Sequence, residues 1–76
     1  MHAQPISGRW DAGGMGCGEL VMQLRLKLRP LSPGDLFELI ATDEGASEDI
    51  PAWCRLTGHA LVEARAPRFL IRRKDT

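Results

Sequence analysis

The sequence predicts a single α/β domain with the element order β-α-β-α-β-β. Three patterns indicate this order: apolar residues recur at helical spacing over residues 18–29, side chains alternate at strand spacing over residues 36–42, and two strand-like segments flank Pro67. A chain of 76 residues makes one domain, near the lower size limit for folding on a hydrophobic core alone. We expect residues 1–7 to be a flexible leader and residues 8–76 to form the domain.

The first strand is expected over residues 8–12, and a glycine-rich turn follows it. Gly13, Gly14 and Gly16 predict this turn because glycine adopts positive φ freely. Asp11 is expected to brace the turn by accepting N–H bonds from the glycines that follow. A phosphate-binding loop is disfavoured, because the lysine and the serine or threonine of that motif are missing.

The first helix is predicted over residues 18–29, and Pro30 ends it. Its core-facing side is predicted to combine residues at helical spacing, with Leu20 at the flank: Cys17, Leu20, Val21, Leu24 and Leu28. The opposite side forms a candidate docking patch for a partner: Met22, Arg25, Leu26 and Arg29. The alternative for that side is a solvated helix face with incidental apolar residues.

The next strand is predicted over residues 36–42. Its alternation turns one set of side chains to the core: Phe37, Leu39 and Ala41. The other set is mixed in character: Leu36, Glu38 and Ile40. Together with Leu70, the apolar members of this second set indicate a sheet face that is only partly covered. We therefore expect a monomer or a weak dimer.

The second helix is predicted to begin after Ser47, which is expected to act as its N-cap. Pro51 then falls in the first helical turn, and Gly58 ends the helix. The residues expected to be buried are Ile50, Trp53, Cys54 and Thr57. Two antiparallel strands are predicted to follow, over residues 59–66 and 68–73.

Composition and charge argue against several classes of protein. Ten basic and ten acidic side chains cancel, which removes the global electrostatic argument for nucleic-acid binding. No N-terminal apolar run resembles a signal peptide, and no stretch is long enough to span a membrane. The two cysteines do not form the framework of a small disulfide-stapled secreted domain. We expect a cytoplasmic protein that binds neither membrane nor nucleic acid.

Cys17 is the leading functional candidate because it stands where the glycine-rich turn meets the start of a helix. The free N–H donors and the positive dipole end of a helix N-terminus are expected to favour its thiolate. The amides of Gly18, Glu19 and Leu20 can stabilise a sulfur anion, and Gly16 and Gly18 leave space for a partner's sulfur. The alternative is a small apolar residue that closes the end of the core.

The other cysteine and the histidines are expected to be structural. Cys54 lies in mid-helix on a core face beside Trp53. His59 follows the helix, where it can cap the last carbonyls as a cation. His2 lies in the leader. None of these residues has the paired spacing of zinc ligands, so no metal is expected.

A set of short motifs spread along the chain is informative when taken together. They run from about Trp10 to Lys74 and comprise Asp11, Gly14, Cys17, Pro33-Gly34, Ala41, Asp43, Asp49-Ile50-Pro51, Cys54 and His59-Ala60-Leu61-Val62. This set resembles the TusA/SirA-like family of sulfur carriers. The resemblance implies a two-layer α/β sandwich, in which a four-stranded mixed sheet is covered on one face by two helices.

The resemblance also implies a function. Cys17 would take a persulfide sulfur from a cysteine desulfurase or a rhodanese-type donor and pass it to a protein acceptor, without metal or organic cofactor. The family hallmark Cys-Pro-x-Pro reads Cys17-Gly18-Glu19-Leu20 here. Gly18 loses the rigidity of a proline, at a cost of roughly 1 kcal/mol of local order, and keeps an N–H that can donate to a sulfur anion.

Three functional hypotheses follow from these observations. The leading one is a persulfide sulfur carrier, with Cys17 as the reactive residue. The alternative is a non-catalytic regulatory or protein-interaction module that retains the fold, which the loss of both hallmark prolines favours. Direct nucleic-acid binding through the arginine-rich helix is disfavoured by the zero net charge.

Overall fold

The computed structural model describes residues 4–74 and contains the six predicted elements in the predicted order. In chain order they are β1 Ile6–Gly13, α1 Cys17–Leu28, β2 Leu36–Ala41, α2 Ala46–Thr57, β3 Ala60–Arg65 and β4 Arg68–Arg72. The strands form one sheet in the order β1-β2-β4-β3. Strands β1 and β2 are parallel, and the other neighbouring pairs are antiparallel. Because both helices bury side chains against the same sheet, the two-layer α/β sandwich with a mixed sheet is confirmed.

The first strand and the first helix begin earlier than predicted. Strand β1 starts at Ile6, which pairs with Leu36 of β2, so Ile6 and Ser7 of the predicted leader belong to the sheet. Residues 1–3, which include His2, lie outside the described part of the chain. Helix α1 starts at Cys17, which is therefore its first residue rather than the residue before it.

The prediction that Ser47 caps α2 is wrong, because the turn that precedes this helix starts it two residues earlier. Asp43 Oδ2 accepts a hydrogen bond from the Gly45 N–H at 3.0 Å, and the Ala46 N–H donates to the Asp43 carbonyl at 3.0 Å. Helix α2 thus begins at the buried Ala46, with Gly45 in the N-cap position and no side-chain cap. Pro51 consequently lies in the second turn, where the carbonyl left without its donor belongs to the exposed Ser47.

The buried core joins both helices to the two central strands. It consists of Leu20, Leu24, Leu28, Phe37, Leu39, Ala41, Ala46, Ile50, Cys54, Phe69 and Ile71. The predicted core face of β2 is therefore confirmed. On α1 the centre of the apolar stripe is shifted by one residue from the prediction, because Leu20 is fully buried whereas Val21 is only partly buried.

Helix α2 is less completely buried than predicted. Ile50 and Cys54 are buried as expected, but Trp53 and Thr57 are only partly buried. The helix ends at Gly58, as predicted, with φ +92° and its N–H donating to the Cys54 carbonyl at 2.9 Å. Within residues 4–74, no helix has the length and hydrophobicity needed to cross a membrane.

The open face of the sheet carries a ladder of ion pairs across all four strands. Arg9 on β1 contacts Glu38 on β2 at 2.9 Å, and Arg68 on β4 pairs with both Glu38 and Glu63. Arg65 contacts Glu63 at 3.2 Å, both on β3. Because the charges alternate in sign from strand to strand, each charged side chain lies beside one of opposite charge. This face is therefore polar along its middle.

The apolar residues of the open face flank the ion-pair ladder and are mostly covered. Leu36 is 5% exposed, and Ile40 and Leu70 are partly buried. In the β2–β4 register, Ile40 stands opposite Arg68 and Leu70 opposite Glu38. The continuous apolar surface that suggested a weak dimer is thus interrupted, and the oligomeric state stays a prediction.

We predict that the ladder makes the stability of the fold depend on pH through Glu38. The hydrogen bond from Arg68 holds the pKa of the Glu38 carboxyl below its ordinary value. Burial opposes this shift, and a hydrogen bond from Arg9 supports it. Such a group stabilises the fold above its unfolded-state pKa, and this contribution is lost as the pH falls through the lower folded-state value. Urea denaturation of Glu38→Gln should show lower stability than the parent at neutral pH and a difference that shrinks in acid.

The matched control is Glu44→Gln, which removes the same charge from an exposed turn position outside the ladder. Its stability should follow the parent at every pH. A constant difference between Glu38→Gln and the parent from neutral to acid pH would contradict this account of the ladder.

Candidate functional site

Cys17 is held at the start of α1 by a turn that is anchored to both parallel strands. Gly13 adopts φ +56°, its carbonyl accepts the Thr42 N–H at 2.8 Å, and its own N–H donates to Asp11 Oδ1 at 2.9 Å. The Met15 N–H closes the turn on the Ala12 carbonyl at 3.1 Å. The left-handed conformation explains the glycine at position 13.

At two of the neighbouring positions, the surrounding space does not require a glycine. A Cβ added at Gly14 would lie 3.8 Å from the Thr42 hydroxyl, an ordinary contact, and one added at Gly16 would meet nothing within 4 Å. The surroundings of both positions therefore tolerate a larger residue. What the glycines supply is an open approach to the helix start, which an added side chain would narrow.

Two of the three amides that were expected to stabilise the sulfur are free. The Leu20 N–H donates to the Gly16 carbonyl at 2.9 Å, which is the first hydrogen bond of α1. The amides of Gly18 and Glu19 precede this bond and have no hydrogen-bond partner among residues 4–74. The Leu20 side chain is also fully buried. Leu20 therefore packs in the core, and its amide does not stabilise the sulfur. A proline at this second hallmark position would remove that first bond.

Two carboxylates converge on the Cys17 thiol from the other helix start. Cys17 Sγ donates to Asp43 Oδ2 at 3.4 Å. A Cβ added at Gly45 would lie 3.2 Å from Oδ2 of both Asp43 and Asp49 and 3.7 Å from Cys17 Sγ. The three side chains therefore border the same small space, which Gly45 leaves open. Either carboxylate can accept the S–H bond there.

This acidic surrounding reverses the expected charge state of Cys17. Burial, followed by hydrogen bonding to Asp49 and to Asp43, raises the pKa of the Cys17 thiol to about 12. The prediction that the helix N-terminus favours the thiolate is therefore wrong for the free protein. The helix end contributes about half a positive charge, which two full negative charges at hydrogen-bond range outweigh.

An apolar groove of about 310 Å³ opens beside Cys17 between the two helices. Its walls are Cys17, Gly18, Val21, Asp49, Ala52, Trp53 and Leu56. Leu56 is 86% exposed, a large apolar side chain turned to solvent at the rim. Sequence reasoning missed this groove, although Leu56 falls outside the buried stripe of Ile50 and Cys54 and could have been noticed on that ground.

The predicted docking patch is exposed as a whole. Met22 and Leu26 on α1 are 64% and 51% exposed, and Arg25 and Arg29 beside them are exposed too. Isolated exposed leucines and methionines are common on protein surfaces. Here the patch continues from the helix that starts at Cys17. What binds it is not decided by exposure alone.

The remaining candidate residues do not join the site. Cys54 is buried in the core, and burial raises the pKa of its thiol to about 11. His59 does not cap α2, because its Nδ1 accepts the Lys74 N–H at 3.0 Å and its ring lies 5.3 Å from that of Trp53. Over the described residues, no group of three or more acidic, histidine or cysteine side chains is arranged to hold a metal ion.

A half-exposed cysteine at a helix start, on a β-α-β-α-β-β sandwich, is the arrangement of a known family of small sulfurtransferases. The family model described as "Sulfurtransferase TusA" matches residues 9–73. The chain therefore belongs to the TusA family, and the resemblance inferred from its motifs is confirmed.

Curated relatives named "Sulfur carrier protein TusA" match most of the chain. The protein of Pseudomonas paraeruginosa is 48% identical over 59 residues, which are 78% of this chain and 75% of the relative. That of Pseudomonas aeruginosa is 51% identical over 53 residues, 70% of this chain and 67% of the relative. That of Pseudomonas syringae pv. syringae is 40% identical over 74 residues, 92% of this chain and 88% of the relative.

We predict that neutralising Asp49 makes Cys17 more reactive. Asp49→Asn should lower the pKa of the thiol and raise its rate of alkylation by iodoacetamide near neutral pH, roughly tenfold for each pH unit by which the pKa falls. Asp43→Asn should act in the same direction with a smaller effect. Peptide mass spectrometry would follow the label on Cys17.

Glu44→Gln is the control for the carboxylate variants, because it removes a charge from the same loop and its carboxyl is not among the groups that raise the pKa of Cys17. It should leave the alkylation rate nearly unchanged. Slower alkylation of Asp49→Asn than of the parent would show that the carboxylate does not suppress the thiolate.

We also predict opposite effects for alanine at two glycines near Cys17. A Cβ meets nothing within 4 Å at Gly13 or at Gly18, but Gly13 has φ +56° whereas Gly18 lies in the helix. Gly18→Ala should therefore stabilise the fold by about 0.5–1 kcal/mol, and Gly13→Ala should destabilise it by about 1–2 kcal/mol. Thermal or urea unfolding would measure both, and equal signs would contradict the assigned backbone.

Proposed function

We propose that this protein is a sulfur carrier that accepts a sulfur atom on Cys17 as a persulfide and passes it to a second protein. The observation that carries the proposal is the half-exposed Cys17 thiol at the mouth of an open groove, in a chain whose relatives bear the name sulfur carrier protein. A carrier needs one accessible sulfur and room for the partner's sulfur beside it.

The proposed loading step is a transfer of sulfur between two thiols. The Cys17 sulfur attacks the outer sulfur of a persulfide on the donor protein, so that an S–S bond forms at Cys17 while the donor's S–S bond breaks. The donor cysteine leaves as a thiolate and takes up the proton that Cys17 gives up. No net oxidation occurs, and the reverse sequence delivers the sulfur to an acceptor thiol.

Asp43 is the residue placed to handle the proton of that step. Its Oδ2 already accepts the Cys17 S–H bond, so it can hold the proton while the sulfur attacks. The same contact keeps the thiol protonated in the free protein, which protects it from oxidation. A partner that brings a cation close to Asp43 and Asp49 would offset their charge and release the thiolate. Reactivity would thus depend on docking.

The surface around Cys17 suits protein partners in this proposal. The apolar groove ends at Trp53 and Leu56, and the exposed patch of Met22, Arg25, Leu26 and Arg29 extends it along α1. We propose a donor of the cysteine desulfurase or rhodanese type and a protein acceptor, with no metal or organic cofactor. The cytoplasmic location stays a prediction.

A second candidate function is a non-catalytic regulatory or interaction module. The observation that favours it is the raised pKa of Cys17, because a thiol held in its protonated form is a poor nucleophile. This candidate uses the same groove and patch for binding but transfers no sulfur. The two functions differ in whether Cys17 gains a sulfur atom.

The experiment that separates them is intact mass spectrometry without reductant. The protein would be incubated with a cysteine desulfurase and cysteine, and separately with a rhodanese and thiosulfate. We expect a mass gain of one sulfur atom, absent in Cys17→Ser and retained in Cys54→Ala. Adding a reductant afterwards should remove the extra mass, since a persulfide is reducible.

Three results would count against the carrier. No gain with either donor, in protein that is folded by circular dichroism, would favour the interaction module. A gain retained in Cys17→Ser would move the chemistry to another residue, and a gain lost in Cys54→Ala would assign it to Cys54. Asp49→Asn serves as a further check, because faster loading of this variant would tie the transfer to the thiolate of Cys17.

A further inference from the structure

A second cavity lies at the end of the helices opposite to Cys17. It has a volume of about 230 Å³ and is open to solvent between the ends of α1 and α2 and the segment after β4. Arg25 on its wall is eight residues further along α1 than Cys17, which is about 12 Å at 1.5 Å per residue. The cavity is therefore distinct from the groove beside the thiol.

Positive charge dominates the wall of this cavity. Its charged and titratable lining residues are Arg25, Arg29, His59, Arg73 and Lys74. Among residues 4–74 no carboxylate lines the cavity, and none of its four cations takes part in an ion pair. By contrast, Arg9, Arg65 and Arg68 on the open sheet face are each paired with a glutamate. Four cations around one cavity repel one another unless an anion lies between them.

The fold holds two of these cations in place through helix ends. Arg73 Nε donates to the carbonyl of Leu28, the last residue of α1, at 3.0 Å. Lys74 Nζ donates to the carbonyl of Thr57, the last residue of α2, at 3.0 Å. Arg73 Nη1 also donates to the Lys74 carbonyl at 3.4 Å. The remaining N–H groups of the guanidinium and of the ammonium are available to a ligand. The site is therefore partly organised before anything binds.

The pKa of His59 reflects the positive potential of the cavity. Burial, and then the charges of Lys74 and Arg73, lower the pKa of its ring. Since Nδ1 accepts the Lys74 N–H, the neutral ring carries its proton on Nε2 and is a donor there. Trp53 packs beside the ring and forms the apolar part of the wall.

We propose that this cavity binds a small divalent oxyanion of the phosphate type, held by Arg25, Arg29, Arg73 and Lys74. The size fits this class of ligand. At ~30 Å³ per water, the volume corresponds to about eight waters, and it is below the ~300–1,000 Å³ of pockets for drug-sized ligands. Guanidinium groups match the oxygens of such an anion in pairs. The proposal does not depend on sulfur transfer at Cys17.

The test is a titration of the whole chain with sodium phosphate against sodium chloride of equal ionic strength, followed by NMR. Phosphate should bind saturably and shift the amide signals of residues around the cavity. Its two charges should also raise the pKa of His59 by about one pH unit, the effect of a divalent anion roughly 6 Å away in a water-like medium. Arg25 and Arg29 on α1, with Arg73 and Lys74 after β4, are the charged groups that face this ring.

The matched variants are Arg29→Gln in the cavity and Arg55→Gln outside it, which remove the same charge from exposed helix positions. Arg29→Gln should weaken phosphate binding roughly tenfold, the loss of one charge-assisted hydrogen bond. Arg55→Gln should change it by less than about twofold. Equal weakening by both variants would mean non-specific attraction and would overturn the site.

A second arm of the experiment distinguishes the source of the phosphate. A phosphomonoester such as glycerol phosphate should bind like free phosphate and compete with it, because the cavity is open. A single-stranded RNA oligonucleotide is the alternative occupant. RNA binding with a steep salt dependence, together with no saturable effect of free phosphate or of the monoester, would replace the proposed anion site by a nucleic-acid surface.

Discussion

The parallel pairing of β1 with β2 is the constraint on which the arrangement at Cys17 depends. Parallel strands end at the same edge of a sheet, so the turn that follows β1 and the loop that follows β2 meet there. The bond from the Thr42 N–H to the Gly13 carbonyl ties the two together. Helices α1 and α2 both start from this edge. A thiol at the start of one helix is thereby set against the two carboxylates, Asp43 and Asp49, at the start of the other.

The charge state of Cys17 follows from a competition between two electrostatic effects at that edge. A helix N-terminus favours a thiolate through partial charges on its free amides, here including those of Gly18 and Glu19. Burial opposes the thiolate most strongly, and Asp43 and Asp49 add to this effect, so the thiol form prevails. A carrier that meets its donor only in a complex gains from this balance, since a resting thiol survives oxidants that a thiolate does not. The absence of the hallmark prolines fits a site controlled by its acids rather than by rigidity of the helix start.

Sequence patterns were sufficient for the elements and insufficient for the site's charges. The alternation of Phe37, Leu39 and Ala41 predicted β2 and its core face, because that period admits no other regular structure. The motifs along the chain predicted the family. The raised pKa was not predictable, because Asp43 and Asp49 are separated from Cys17 by more than 25 residues and only the fold brings them within reach. The misplaced cap of α2 has a similar cause, since the Asp43 side chain forms the turn before Ser47 is reached.

Zero net charge concealed a strong separation of charge along the helices. Carboxylates gather where α1 and α2 start, and four cations without an ion pair among residues 4–74 gather where the helices end: Arg25, Arg29, Arg73 and Lys74. The negative dipole ends of both helices lie at the cationic side and the positive ends at the acidic side, so each set of charges lies at the pole that stabilises it. At Cys17 the carboxylates oppose the thiolate that the positive helix end would otherwise favour. A partner that spans both ends would therefore need a basic region over Cys17 and an acidic one over the cavity. Such a requirement would set the orientation of docking through electrostatic fields that act before contact is made.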